Sequence, residues 1–130
     1  MDNAGELSRK YRILVVDDDE TVADLVVRLL QEKGFHAWSV YDPTEAPQRA
    51  AEIRPDLVIV DFNMPKLIGP ELAILLKSRA ETAKAPILFL SGMIDEDHRE
   101  IGKYSGGAAY LEKPVDPEKL ISTIRGLLKL

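Results

Sequence analysis

The sequence contains no cysteine. Disulfides, thiolate nucleophiles and thiolate metal sites are therefore excluded, and a reducing compartment is compatible with the composition. No apolar run approaches the ~20 residues that a membrane span needs. Residues 1–10 are polar and mixed in charge, without the apolar centre of a signal peptide, and residues 1–11 read as a disordered extension ahead of a single domain over 12–130. These absences set the expectation of a cytoplasmic protein. The formal net charge is −5 and no basic cluster stands out, which argues against direct nucleic-acid binding. Internal repeats, low-complexity tracts and an interdomain linker are also missing. The 130 residues suffice for one domain that buries roughly two-thirds of its unfolded surface, with proteins and small ions as its expected partners.

What is present is organised around Leu57 to Pro65. Leu57-Val58-Ile59-Val60 reads as a strand buried on both faces, the pattern of a central strand in a parallel sheet. Asp61 falls where the run stops, and Pro65 cannot donate to a sheet ladder, so the acid belongs at the strand's carboxyl end. In open α/β sheets ligands bind at that edge. A lone Asp after a strand is more often a turn residue, so its reading depends on the rest of the chain.

Arg12 to Val16 is a second apolar run that stops at carboxylates, Asp17-Asp18-Asp19. Val22, Leu25, Val26, Leu29 and Leu30 recur at helical spacing over Glu20 to Lys33, and Gly34 is the stop. His36 to Tyr41 reads as a strand, with Trp38 as a packing residue. Asp42-Pro43-Thr44-Glu45 resembles a capping box, but Pro47 would fall inside the helix. Thr44 as the cap places Pro47 in the first turn, so the second helix is expected to start late or to bend, and to end before Pro55. A third helix starts at Gly69-Pro70-Glu71 with Leu72, Leu75 and Leu76 as its stripe. Pro86 to Leu90 is a strand closing at Ser91-Gly92. The weakest helix is Asp95 to Tyr104, whose thin apolar face is Ile94, Ile101 and Tyr104 and whose Gly102 costs about 1 kcal/mol relative to alanine. Ala108 to Glu112 reads as the last strand, ending at Lys113-Pro114. Asp116 and Pro117 open a final helix faced by Leu120, Ile121, Ile124, Leu127 and Leu128. Strands and helices alternating five times imply an α/β, doubly wound parallel sheet.

In that architecture the carboxyl ends of all strands share one edge, so Asp17, Asp18, Asp61, Ser91 and Lys113 converge. Three carboxylates close together resist ionisation unless a cation holds them, and magnesium suits a few carboxylates, a carbonyl and waters. No histidine or cysteine falls among these residues, which argues against zinc. A carboxylate, a hard metal, a hydroxyl and a lysine are the parts for phosphoryl transfer to a carboxylate. Asp61 is the choice of nucleophile, because its strand lies between the acidic pair and Ser91.

These residues resemble a response regulator receiver domain of two-component signalling. The matching pieces are Val15-Val16-Asp17-Asp18, the run Asp61-Phe62-Asn63-Met64-Pro65 followed by Gly69, Ser91-Gly92, and Tyr110-Leu111-Glu112-Lys113-Pro114, in the family's order over about residues 12 to 129. The resemblance implies a flavodoxin-like five-stranded sheet of order 2-1-3-4-5. It implies that Asp61 accepts a phosphoryl group from a histidine kinase or histidine phosphotransfer protein. It further implies Mg2+ held by Asp18 directly, Asp17 through water, Asp61, and the backbone carbonyl of Asn63. Ser91 then stands as the switch hydroxyl, Lys113 as the phosphate-pairing lysine, Tyr110 as the switch aromatic, and Lys113-Pro114 as a cis peptide. Asn63 and Met93 flank the chemistry where the family tunes dephosphorylation.

Two departures stand out. Ile68 precedes Gly69 where an acid is common, and the helix at 95–104 is poor, which leads to the expectation that it is short, shifted or mobile. Asp19 and Glu20 read as a solvated helix start, and His36 and His98 as surface residues without a role. The functional expectation is a phosphoacceptor switch that promotes its own phosphorylation and dephosphorylation without being a turnover enzyme. It is read by a downstream effector protein or an output domain, either as a stand-alone regulator or as part of a larger protein. The alternative is an inert protein-interaction module of the same fold, disfavoured by Asp17, Asp18, Asp61 and Lys113. A magnesium-dependent aspartyl-phosphate phosphohydrolase ranks below it, because its second acid would stand where Asn63 is.

Overall fold

The five apolar runs form five parallel strands in a computed structural model that describes residues 10–92 and 96–130. They are β1 (Arg12–Val16), β2 (His36–Val40), β3 (Leu57–Asp61), β4 (Ile87–Ser91) and β5 (Gly107–Glu112), and their ends lie within one residue of the expected ones. The sheet order is β2-β1-β3-β4-β5, so β3 lies between β1 and β4 as its sequence requires. Val60 pairs with Val16 on one side and Phe89 on the other, and Asp61 pairs with Leu90. Every residue of β3 and β4 is buried, as strands covered on both faces must be. The extension at residues 1–9 lies outside the described residues, as do Met93, Ile94 and Asp95.

Five helices cover the sheet: α1 (Glu20–Glu32), α2 (Ala46–Ile53), α3 (Gly69–Lys77), α4 (Glu96–Tyr104) and α5 (Pro117–Leu127). Alternate residues of each strand point to opposite faces. Ile13, Val15, Leu57, Ile59, Leu88 and Leu90 meet Val26 and Leu30 of α1 and Leu120 and Ile124 of α5. Leu14, Val16, Val58, Val60 and Phe89 meet Ala46 and Ala50 of α2 and Leu72, Ala73 and Leu76 of α3, with Trp38 packed at the margin. No helix among the described residues is long and apolar enough to cross a membrane.

Local chemistry explains where the helices begin. Asp19 caps α1, its Oδ1 accepting from the amides of Thr21 and Val22 at 3.0 and 3.3 Å, and Gly34 follows the helix at φ +91. Asp116 caps α5 through the Glu118 amide at 3.0 Å. At the second helix the break is where the sequence places it, but the cap differs. Asp42, not Thr44, accepts the Thr44 amide at 3.0 Å, and Pro43–Glu45 forms a 3-10 turn before α2 restarts at Ala46. The tighter turn lets Pro43 stand at a helix start and leaves Pro47 inside the first turn of α2, where neither ring removes a needed bond.

Two helical faces differ from expectation. In α3 Leu72, Ala73 and Leu76 are buried after Gly69 and Pro70 of the first turn, while Leu75 is 39% exposed, because the stripe continues along i, i+4 from Leu72 to Leu76 and Leu75 lies to its side. In α4 the expected face is turned outward. Ile101 is 48% and Tyr104 91% exposed, whereas Gly102 and the following Ser105 are buried. The helix spans nine residues, close to the expected length.

Candidate functional site

The carboxyl edge gathers the chemistry. Asp17 extends β1, its amide donating to the Val40 carbonyl at 3.1 Å, so its side chain is only 1% exposed while Asp18 is turned to solvent. The Asp19 amide donates to Asp17 Oδ1 at 3.0 Å. The four-residue acid run is thereby divided: Asp17 and Asp18 face the site, Asp19 caps α1, and Glu20 stands in the first turn.

Asp61 ends β3, buried at 5% exposure. The chain leaves it through Phe62, whose amide donates to the Leu90 carbonyl at 2.8 Å and whose carbonyl accepts from Gly69 at 3.0 Å. A Cβ at Gly69 would lie 2.5 Å from the Asp61 carbonyl oxygen and 2.9 Å from Phe62 Cα, so glycine is what allows α3 to abut the end of β3. Ile68 has no acceptor to cap α3. The Glu71 carboxylate still takes the Ile68 amide at 3.2 Å, which holds the loop at the start of α3. On its outer side Lys66, at φ +71, pairs with Asp42 at 3.2 Å. Asn63 is exposed at the edge.

Lys113 follows β5, and its peptide bond to Pro114 is cis. Its Nζ lies 2.9 Å from Asp17 Oδ2 and 3.2 Å from Asp61 Oδ1. Its amide donates to the Ser91 carbonyl at 2.8 Å, which fixes β4 and the lysine to each other. Ser91, 3% exposed, lies at the same edge.

Carboxylate oxygens of Asp17, Asp18 and Asp61 all lie within 4.8 Å of one another. Burial is the main cause that pushes the Asp61 carboxyl up to about 6, the charge on Asp17 adds to it, and Lys113 and the Asn63 amide oppose it. Burial alone would lower Lys113, but Asp17 and then Asp61 outweigh it and raise the ammonium above its ordinary value. Apart from that ammonium, Asp17 Oδ2 has no hydrogen-bond partner among the described residues. A buried carboxylate oxygen so placed, beside two more carboxylates and no sulfur or imidazole ligand, fits a hard oxygen-seeking cation.

A model of the response regulator receiver domain matches residues 13–125. The chain belongs to that family. DNA-binding response regulator MtrA of Mycobacterium tuberculosis is 34% identical over 120 residues, covering 92% of this chain and 51% of that protein. Transcriptional regulatory protein PrrA of Mycobacterium leprae is 36% identical over 118 residues, covering 91% and 50%. The receiver chain thus spans about half the length of these relatives. Among solved structures, chemotaxis protein CheY4 of Vibrio cholerae superposes with a TM-score of 0.88 at 29% identity, covering 92% of this chain and 99% of that one.

The structure brings Asp17, Asp18, Asp61 and Lys113 together, with Ser91 and Asn63 at the same edge. Tyr110 lies apart from them. Its ring stacks on Phe89 at 5.8 Å, and its hydroxyl donates to the Arg99 carbonyl in α4 at 3.0 Å. Met93 lies outside the described residues. His98, expected at the surface, is half-buried, and its ring lies 4.7 Å from that of Phe62. The spacing of His98 and Gly102 by four residues was the available signal, because it defines one face of the helix, to the side of which Ile101 and Tyr104 lie.

Proposed function

We propose that this receiver domain is a phosphoacceptor switch in which Asp61 takes a phosphoryl group from a histidine kinase or histidine phosphotransfer protein. The observation that carries the reading is the lysine bridge: one ammonium, on Lys113, lies within 3.2 Å of Asp61 and 2.9 Å of Asp17. Burial and the neighbouring charge make the Asp61 carboxylate basic for its type, and that suits a nucleophile.

An Asp61 oxygen attacks phosphorus, and an O–P bond forms as the donor's N–P bond breaks. The leaving imidazole keeps the electron pair and takes up a proton. Lys113 neutralises an oxygen of the transferring group, and the Ser91 hydroxyl donates to another. Asp17, Asp18, Asp61 and the Asn63 backbone carbonyl are the groups that would hold Mg2+. Bound there, Mg2+ supplies charge neutralisation as negative charge spreads over the phosphoryl oxygens. Hydrolysis of the acyl phosphate returns the carboxylate, so the chain turns over its own phosphoryl group and is not a turnover enzyme for another substrate.

The signal then passes to Ser91 and Tyr110, which bias the face around α4, β5 and α5. A cytoplasmic effector protein or an attached output domain reads that face. Incubation with a small phosphodonor and Mg2+, followed by intact mass, is the test. One phosphoryl group is expected on the natural chain and none on Asp61→Asn, and equal uptake by the variant would overturn the reading.

A further inference from the structure

The helix α4 rests on the sheet by an unusual face. Its outward residues Ile101 and Tyr104 are the large apolar ones, and its inward positions are His98 and Gly102, four residues apart. A face this small needs other groups to fill the gap, and two rings fill it from different strands. From β5 comes Tyr110, whose Cε1 would lie 2.5 Å from a Cβ at Gly102 and whose hydroxyl reaches the Arg99 carbonyl. From the end of β3 comes Phe62, 4.7 Å from the His98 ring at an interplanar angle of 55°. Phe62 also meets Phe89 edge-on at 5.4 Å, and Phe89 stacks on Tyr110 at 5.8 Å. The four rings therefore link β3, β4 and β5 and return to α4 at both ends.

Phe62 follows Asp61 directly. A displacement of the Asp61–Phe62 backbone reaches α4 through His98 without passing through Ser91 or Tyr110. We propose that His98 is a positioning residue that clamps α4 to the phosphoacceptor strand, through Phe62, in the unphosphorylated protein. The inference rests on the phosphoacceptor reading of Asp61. On this proposal the contact is made in the unmodified state and given up in the loaded one, so that removing it lowers the cost of reaching the loaded state. His98 touches no reacting atom, so its removal changes the balance of states and leaves the chemical groups in place.

The test is amide hydrogen exchange of residues 96–104 in the full chain, with and without Mg2+ and beryllofluoride as the phosphoryl stand-in, for the natural protein, His98→Ala and His98→Phe. In His98→Ala the ligand-free exchange is expected to rise toward the loaded level. The beryllofluoride concentration at half response is expected to fall about two- to tenfold, the range that one aromatic pair supplies. His98→Phe keeps a ring against Phe62 and is expected to match the natural chain in both respects. Unchanged exchange and half-response in His98→Ala would overturn the clamp, as would an equal shift in His98→Phe. A rise in exchange of the same size in both states, with half-response unmoved, shows a structural role only and also overturns it. A natural chain that gives no response to Mg2+ and beryllofluoride overturns the phosphoacceptor reading instead, a failure seen before any substitution is made.

Discussion

Lys113 Nζ stands 3.2 Å from Asp61 Oδ1, inside a site where the other carboxylate it touches, Asp17, is almost wholly buried. The ammonium is thus what keeps two interior carboxylates from repelling each other in the metal-free chain. Lys113→Met is expected to cost about 2–3 kcal/mol in urea unfolding at pH 7.5, because breaking a buried pair leaves uncompensated charge. Asp61→Asn is expected to stabilise the Lys113→Met chain by more than it stabilises the natural chain, and an equal effect in the two backgrounds would show that the lysine does not couple to Asp61.

The raised Asp61 carboxyl gives stability a definite pH dependence. Its native value is about 6 against an ordinary 3.8, so between those values the native chain holds a proton that the unfolded chain has released. Stability from this group is present below the lower value and is lost as pH rises through the higher one. Asp61→Asn escapes the loss. In chelator its advantage over the natural chain is expected to be small near about pH 4 and to grow to about 3 kcal/mol above pH 7, read by thermal melts across that range. An advantage independent of pH would contradict the assigned cause.

Magnesium is expected to raise the thermal midpoint by mass action, by an amount that grows with its concentration and is abolished by chelator. Asp18→Asn alters an exposed residue, so its melting in chelator should match the natural chain while the magnesium-dependent rise is reduced or lost. A full magnesium response in Asp18→Asn would remove Asp18 from the ligand set.

Gly102 is expected to resist replacement although it sits inside a helix. Alanine gains about 1 kcal/mol of helix propensity there, but its Cβ would lie 2.5 Å from the Tyr110 ring, and overpacking costs typically 1–3 kcal/mol. Gly102→Ala should therefore be neutral to destabilising in urea, with a changed tyrosine signal in near-ultraviolet circular dichroism. A clear gain in stability with an unchanged signal would show that Tyr110 does not need the glycine.

The sheet and the site were legible because four of the five strands end their apolar runs at polar residues, and a parallel sheet collects those ends at one edge. Asp17, Asp61, Ser91 and Lys113 could be placed together from that rule alone. What the sequence hid was orientation around α4. Counting large apolar residues selects Ile101 and Tyr104 as the inward face, yet packing selected His98 and Gly102, because rings donated from β3 and β5 fill the space that large helix side chains would otherwise occupy. Leu75 in α3 was misplaced for a related reason: Ala73 is small enough to sit against the sheet, and the leucine beside the stripe was not needed there. The second helix shows a subtler limit, since its two prolines marked the break but could not say whether Asp42 or Thr44 would cap it.

Asp61 is proposed as the carboxylate that carries the phosphoryl group. The most direct measurement is peptide mapping after phosphorylation with a small phosphodonor and Mg2+, with borohydride reduction to trap the acyl phosphate at the residue that bears it. The expected result is a reduced residue at Asp61 and unmodified Asp17 and Asp18. Reduction at either of those aspartates, or an unmodified Asp61 in a chain that has gained a phosphoryl mass, would contradict the account.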